Sequence, residues 1–531
     1  MDEQIALARG HVPGGVQHHR VAAGKQKQGS GKYVVSKSAH VTHRRVTVAT
    51  STGRQHWTIC PWDNLPNGRE ACARVQERSS DPHPETLPLS AAHTGAPTSA
   101  IERDARRLHD HHGELNPAEI AVGVIVGRTS EFFDFFVYAI ASVVVFPQLV
   151  FPYVDALTGT IFSFAIFALA FIARPIGTVF FTWVDRTYGR GAKLTIALFL
   201  LGGSTIALAF LPGYADIGTA SAWLLALFRI GQGLALGGTW DGLASLLALN
   251  APHHRRGSYA MVPQLGAPLG LMVASALFAY FLYNLTPADF LDWGWRYPFF
   301  VAFAINVVAL FARLRIVVTP EYAQRFETHD LEPSTIVDTV RVTGRDIVIG
   351  AFAPLASFAL FHMVTVFPLS WVFLFTEDAP ARFLVIQTIC AAFGVLAMVV
   401  SGWIADRTGR RSVLAVTAGM IAAFSGFAPQ LLSGGEAGEW AFMITGFLLL
   451  GLSFGQSSGA VAASFPARYR YTASHLTSDM AWLFGAGFAP LVALLISVDY
   501  GLMFAGAYLL SGAVCTLVAL VINRQLMAQE R

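Results

Sequence analysis

Gly402-Trp403-Ile404-Ala405-Asp406-Arg407-Thr408-Gly409-Arg410-Arg411 stands between two apolar stretches in the second half of the chain. Asp185-Arg186-Thr187-Tyr188-Gly189-Arg190 stands in the same setting in the first half. The two Asp-Arg pairs lie 221 residues apart, which reads as an internal duplication. The repeated unit can be counted from the apolar stretches around each motif, since a membrane span needs about 20 apolar residues. Working outward from the two motifs gives spans at 120–147, 157–183, 193–212, 221–249, 258–283 and 297–316, then at 347–375, 381–404, 412–432, 440–463, 473–497 and 500–523. The expected fold is an all-α membrane protein of twelve transmembrane helices in two six-helix halves, 118–316 and 347–523, joined by a central loop at 317–346 and followed by a tail at 524–531. Parallel repeats of this kind are an architecture of secondary transporters.

Composition supports lipid as the covering medium. Of 531 residues 54% are hydrophobic and 13% charged, with a mean hydropathy of +0.49. Soluble domains carry about 25% charged residues, so a soluble enzyme is excluded. Four cysteines are too few for a secreted disulfide scaffold. Lys and Arg are absent from the breaks at 148–156, 213–220, 284–292 and 433–439, with Arg382 alone near the edge of such a break. The other breaks carry Arg186, Arg190 and Lys193; Arg255 and Arg256; Arg325, Arg341 and Arg345; Arg407, Arg410 and Arg411; and Arg468 and Arg470. Positive charge marks the cytoplasmic side, so both termini are expected inside an inner (plasma) membrane.

Residues 1–117 are different in kind. They hold 15 Lys and Arg against 11 Asp and Glu, and 11 of the 16 His. Their polar, Pro- and Ser-containing composition buries too little apolar surface to offset chain entropy, so a disordered extension is expected. A start assigned upstream of the true protein is one reading of it. His109, His111 and His112, or His56, Cys60 and Cys72, suggest metal ligation, but neither set gives four ligands at zinc-finger spacing. Gly29-Ser30-Gly31-Lys32 lacks the P-loop spacing. No cofactor, nucleic-acid partner or catalytic constellation is expected, and a monomer is the expected state.

Ionisable groups inside a bilayer are costly and commonly mark substrate or proton routes. Glu131 falls about 15 Å along the first helix, and Asp134 and Tyr138 follow on the same face. Arg174 in the second span and Arg229 in the fourth are the candidate cations for those carboxylates; an interhelical ion pair that only fixes packing is the alternative. Burial favours a carboxylate's neutral form and a neighbouring guanidinium its charged form, so a small movement can switch a proton on or off. Arg229 also offers a planar fork of donors to a substrate carboxylate. Gln232, Asp241, His362 and Asp479 are further cavity candidates, with solvated, packing or ion-pairing roles (Asp479 with Arg468) as their alternatives. In the loops Asp185, Arg186, Gly189 and Arg190, and Gly402, Asp406, Arg407, Gly409, Arg410 and Arg411, are candidate gating residues that pair with neighbouring charges and helix ends.

Gly127-Arg128-Thr129-Ser130-Glu131-Phe132-Phe133-Asp134-Phe135, Arg174-Pro175-Ile176-Gly177, Arg229-Ile230-Gly231-Gln232-Gly233, Trp293-Gly294-Trp295-Arg296 and Phe465-Pro466-Ala467-Arg468-Tyr469-Arg470 together resemble segments of the major facilitator superfamily. Within it they are similar to the metabolite:proton symporters, carriers of proline/betaine, α-ketoglutarate, citrate and shikimate. The resemblance covers 118–531. It implies proton-coupled uptake of a small organic acid or zwitterion by alternating access, with Arg229 in proton coupling, while Glu131 and Asp134 are the expected proton carriers as carboxylates inside the bilayer. The first loop departs from the family pattern, with Phe181 in place of Gly and Tyr188 as an extra residue. Thr239-Trp240-Asp241 shifts an expected carboxylate by two positions. Gly266-Ala267-Pro268-Leu269-Gly270 resembles a motif of drug:proton antiporters, which leaves export as an alternative. A sensor that binds without turnover is another.

Overall fold

The structure is a computed structural model. It describes residues 117–239, 247, 251–317, 332–376, 379–457 and 465–522, and five short strands before them. The strands lie in one compact unit, Met1–His93, and the helices in a second, Thr94–Arg531. In the first unit β1 (His18–Val21) pairs antiparallel with β2 (Tyr33–Ser36). A second sheet has the order β3 (Arg44–Thr50), β4 (Gly53–Ile59), β5 (Ala73–Gln76), also antiparallel. The expected disorder of the remaining residues up to 116, the two His and Cys groupings as metal sites, and the tail 524–531 lie outside the described residues.

The second unit is helical. The first helix, α1 (Pro117–Val144), carries Arg128, Glu131 and Asp134 along its length. Eleven further described helices are long and apolar enough to cross a membrane. They are α2 (Ala156–Tyr188), α3 (Arg190–Ala209), α4 (Ala220–Gly238), α5 (Arg256–Asn284), α6 (Gly294–Leu314), α7 (Leu355–Phe375), α8 (Pro380–Thr408), α9 (Arg410–Leu432), α10 (Gly435–Phe454), α11 (Arg468–Tyr500) and α12 (Leu502–Ile522). With the 28-residue α1 they make twelve helices of membrane-crossing length among the described residues. The seventh begins later than the sequence suggests, because the helix Ile336–Phe352 stops before Pro354 and the chain restarts at Leu355. Pro lacks the N–H that would continue the ladder. The fourth is described as helix only to Gly238, and Asp241 lies outside the described residues.

Packing repeats the duplication seen in the loops. In the first half α2 packs on α4, α1 on α5 and α6, and α3 on α6. The second half pairs α8 with α10, α7 with α11 and α12, and α9 with α12. The α2–α4 seam is close because Gly177 faces the Leu234 carbonyl, where a Cβ would lie 2.2 Å away. The α8–α10 seam uses Gly451 against the Gly394 carbonyl in the same way, at 2.4 Å. Small residues let helix backbones approach in lipid, where no hydrophobic force drives them together. Outward faces carry exposed Ile176, Phe199, Leu396 and Val521. The halves meet along α5–α8 and α2–α11.

The repeated motif glycines end α2 and α8 with the same backbone. Gly189 and Gly409 both have φ of 84°, a left-handed conformation that costs little only without a Cβ. Their N–H groups donate to the carbonyls of Asp185 and Ala405. Tyr188, the extra residue of the first loop, is absorbed into the helix, so Asp185 stands four residues before its glycine and Asp406 three. One helical residue rotates a side chain by about 100°. The two motif aspartates therefore face different neighbours.

Candidate functional site

α1 carries two carboxylates with unlike surroundings. Glu131 is clamped by Arg128 (2.5 Å), one turn before it, and by Arg313 of α6 (2.5 Å). Arg229 and Arg174, the cations expected to serve it, do not reach it. Arg313 was not among the candidates, though its spacing from Asn306, seven residues earlier, places both on one face of α6. Asp134 makes no ion pair within 4 Å among the described residues. It accepts instead from the Thr205 hydroxyl, from Gln232 Nε2 (3.3 Å) and from Asn306 Nδ2 (3.3 Å). These donors come from α3, α4 and α6, and Asp134 is buried. Three residues along a helix differ by about 60° in direction, which is enough to send the two side chains to different partners.

Arg229 lies across Gln232 from Asp134. Its Nη1 donates to Gln232 Oε1 (3.0 Å) while Gln232 Nε2 donates to Asp134 and to Thr205 Oγ1 (3.0 Å). A guanidinium only donates, so the contact fixes which end of the amide faces Arg229. Arg229 Nε donates to the Phe167 carbonyl (3.3 Å), and Nη2 has no partner in the protein. The guanidinium sits 3.9 Å from the ring centre of Tyr138 and 4.8 Å from that of Phe167. Stacking on aromatic faces is favourable for a weakly hydrated cation. Arg229 is the one fully buried cation without an ion pair among the described residues.

His362 of α7 enters the same region from the other half. Its ring is 5.4 Å from both Phe135 and Phe167, the two phenylalanines that also flank Arg229. It is fully buried, and neither ring nitrogen has a partner in the protein. The Tyr138 hydroxyl and Ser163 Oγ are likewise buried and unpartnered. Unsatisfied buried polar groups are rare and call for an explanation. Phe171, Phe361 and Trp482 complete the surround.

Arg174 and Asp479 find each other rather than α1 or Arg468. Arg174 Nε contacts Asp479 Oδ1 at 2.7 Å, joining α2 to α11 across the halves. Thr178 donates to Asp479 Oδ2 (2.5 Å) and meets His475 Nε2 (3.1 Å). Thr178 and His475 were also missed; each lies four residues from a flagged charge on the same helix face. The sequence could not say which charge on α1, α2, α4 or α11 would be neighbours, since that depends on how helices are arranged.

The loop residues hold the same end of the bundle. Asp185 pairs with Lys193 (2.8 Å) and lies 3.9 Å from Arg190, while Lys193 donates to the Tyr471 hydroxyl of α11 (2.7 Å). Asp406 crosses to α5, accepting from Gly257 N (2.7 Å), Ser258 N (3.2 Å) and Ser258 Oγ (2.5 Å). This caps a helix start, where backbone donors lack partners. Gly402 and Gly257 let α8 and α5 touch: a Cβ on Gly257 would lie 2.8 Å from the Gly402 carbonyl. Arg411 donates to the Leu520 carbonyl (3.2 Å), and Arg410 is half-buried. Arg186 is exposed, and Arg407 stacks on Trp403 at 3.7 Å.

Among the described residues no group of His, Cys, Asp and Glu has metal-holding geometry. Residues 130–490 match the family model of the Major Facilitator Superfamily. The inner membrane metabolite transport protein YhjE of Escherichia coli (strain K12) is 37% identical over 439 residues, covering 79% of this chain and 98% of that protein. The shikimate transporter of the same organism is 27% identical, covering 70% of this chain and 86% of its own length. A crystal structure of a D-xylose–proton symporter shares the fold, with a TM-score of 0.60, 17% identity, and coverage of 76% of this chain and 97% of that one. This chain belongs to the Major Facilitator Superfamily, a family of multi-pass membrane transporters and not of enzymes.

Proposed function

We propose that the protein is a proton-coupled symporter of a small polar metabolite in the inner membrane, with both termini cytoplasmic. The observation that carries this reading is the chain Asp134–Gln232–Arg229. It joins a buried carboxylate held by neutral donors to a buried guanidinium with a free donor. An anion at Arg229 and a proton at Asp134 keep the buried net charge constant, and each makes the other's arrival cheaper. Proton and anion then travel together, as symport requires. Glu131, held between two arginines, serves α1–α6 packing instead, so proton carriage falls to Asp134 alone.

The Lys193–Tyr471 and Asp406–Ser258 contacts hold the cytoplasmic ends of the halves together, and Arg174–Asp479 joins the halves deeper in the bundle, beside Trp482. Rocking one half against the other to release substrate inward must break them. The test is uptake into proteoliposomes of labelled shikimate, 2-oxoglutarate and glycine betaine under an imposed pH gradient. The expected result is gradient-driven uptake of at least one solute, abolished in Asp134→Asn and retained in Glu131→Gln. Wild-type, gradient-dependent rates in Asp134→Asn would refute the assignment. Accumulation in inside-out vesicles alone would point to export.

A further inference from the structure

Unpartnered polar atoms stand beside the Phe135–Phe167 pair in both halves. Arg229 Nη2 and Tyr138 Oη come from the first half, and both nitrogens of His362 come from the second. All three side chains are buried, at 0–1% exposure. Arg229 and His362 both pack against Phe135 and Phe167, so they meet the same two rings from opposite halves. Phe171, Phe361 and Trp482 add further apolar rings against His362.

Charge counting narrows the ligand further. Arg174 is paired with Asp479, Arg190 and Lys193 with Asp185, and Arg313 with Glu131. Among the described residues Arg229 alone is buried without such a pair. One guanidinium neutralises one carboxylate, and a second carboxylate buried between aromatic rings without a cation would cost several kcal/mol. A free cation is disfavoured by Arg229 itself.

We propose that this site takes a small monocarboxylate whose apolar skeleton carries one neutral hydrogen-bonding group, and that His362 reads that group. The carboxylate accepts from Arg229 Nη2 and Tyr138 Oη. The neutral group, a hydroxyl or carbonyl, pairs with the imidazole. Because Arg229 and His362 stand on different halves, a molecule bearing both groups bridges the halves, and an acid bearing only one cannot. The proposal rests on the transport reading only for its choice of site.

The test is equilibrium binding to the purified full-length protein, read as thermal stabilisation by shikimate, 3-hydroxybutyrate, butyrate, 2-oxoglutarate, citrate and choline. We expect stabilisation by a hydroxylated monocarboxylate, weaker stabilisation by butyrate, and none by the polycarboxylates or choline. Arg229→Gln should abolish it. His362→Phe keeps an aromatic ring in the packed space, and should weaken binding of the hydroxylated acid by roughly tenfold, the loss of about one hydrogen bond. Butyrate binding should stay unchanged in that variant. His362→Gln should restore the preference for the hydroxyl, which a purely structural role would not predict. Stronger stabilisation by citrate, 2-oxoglutarate or choline, or none by either hydroxylated acid, overturns the proposal. So does an equal loss of both acids in His362→Phe. Should monocarboxylates bind while uptake proves independent of the pH gradient, the symport reading falls and the ligand class stands.

Discussion

Asp479→Asn isolates an ion pair between the halves. The Arg174–Asp479 ion pair is 2.7 Å long, with side-chain exposures of 11% and 1%. Asn keeps an oxygen for the Thr178 hydroxyl, so the change removes one charge and leaves the half-buried Arg174 opposite a neutral group. Orphaning one partner of a buried pair costs about 3–5 kcal/mol. The cost is specific to the arrangement in which α2 and α11 meet, because their separation hydrates both side chains. With about 1.4 kcal/mol per factor of ten, this arrangement should lose roughly a hundredfold to several thousandfold in population relative to one with the helices apart. The assay is electron–electron distance measurement between spin labels at the exposed positions Arg186 and Arg468, in a background with the native cysteines replaced. A single short distance in the parent should give way to a longer one in Asp479→Asn. Arg174→Met combined with Asp479→Asn removes both charges and should return much of the short distance. An unchanged distance in Asp479→Asn, or a double variant as open as the single one, would refute the claim that this pair holds the two halves together.

Further predictions follow from other contacts. Glu131→Gln leaves Arg128 and Arg313 without their shared carboxylate, so the thermal midpoint should fall by the equivalent of about 3 kcal/mol, while residual uptake keeps its pH dependence. Gly177→Ala places a methyl 2.2 Å from a backbone oxygen, and Gly451→Ala one 2.4 Å from another. Both variants should lose monodisperse protein by size-exclusion chromatography, whereas Gly203→Ala, which meets nothing within 4 Å, should not. Asp155 caps α2, and hydrogen bonds from the Thr158 hydroxyl and N–H hold its carboxyl below the usual range. A depressed folded pKa gives stability that is complete above the unfolded value and is lost as pH falls through the folded one. The melting difference between wild type and Asp155→Ala should therefore be full at neutral pH and shrink only under acid conditions. A difference that is constant down to strong acid would refute that account.

The apolar lengths of the stretches, the alternation of Arg and Lys among the breaks, and the repeated Asp-Arg loop are local or periodic properties of the chain. They determined a twelve-span bundle in two like halves, because a span's length and a loop's charge act without reference to any neighbour. The same holds for Gly189 and Gly409, whose role follows from backbone sterics alone. Glu131, Asp134, Arg174, Arg229 and Asp479 were legible as costly charges in lipid, but their partners were not. A side chain's partner depends on helix rotation and on which helices adjoin, and about 60° between Glu131 and Asp134 separates an arginine clamp from a cradle of neutral donors. Only the tertiary structure brought Arg313 to Glu131, sent Arg174 across to Asp479, and set His362 against the two rings that flank Arg229. It also turned one inserted residue, Tyr188, into two motif aspartates with different tasks, since a helix converts sequence offset into direction.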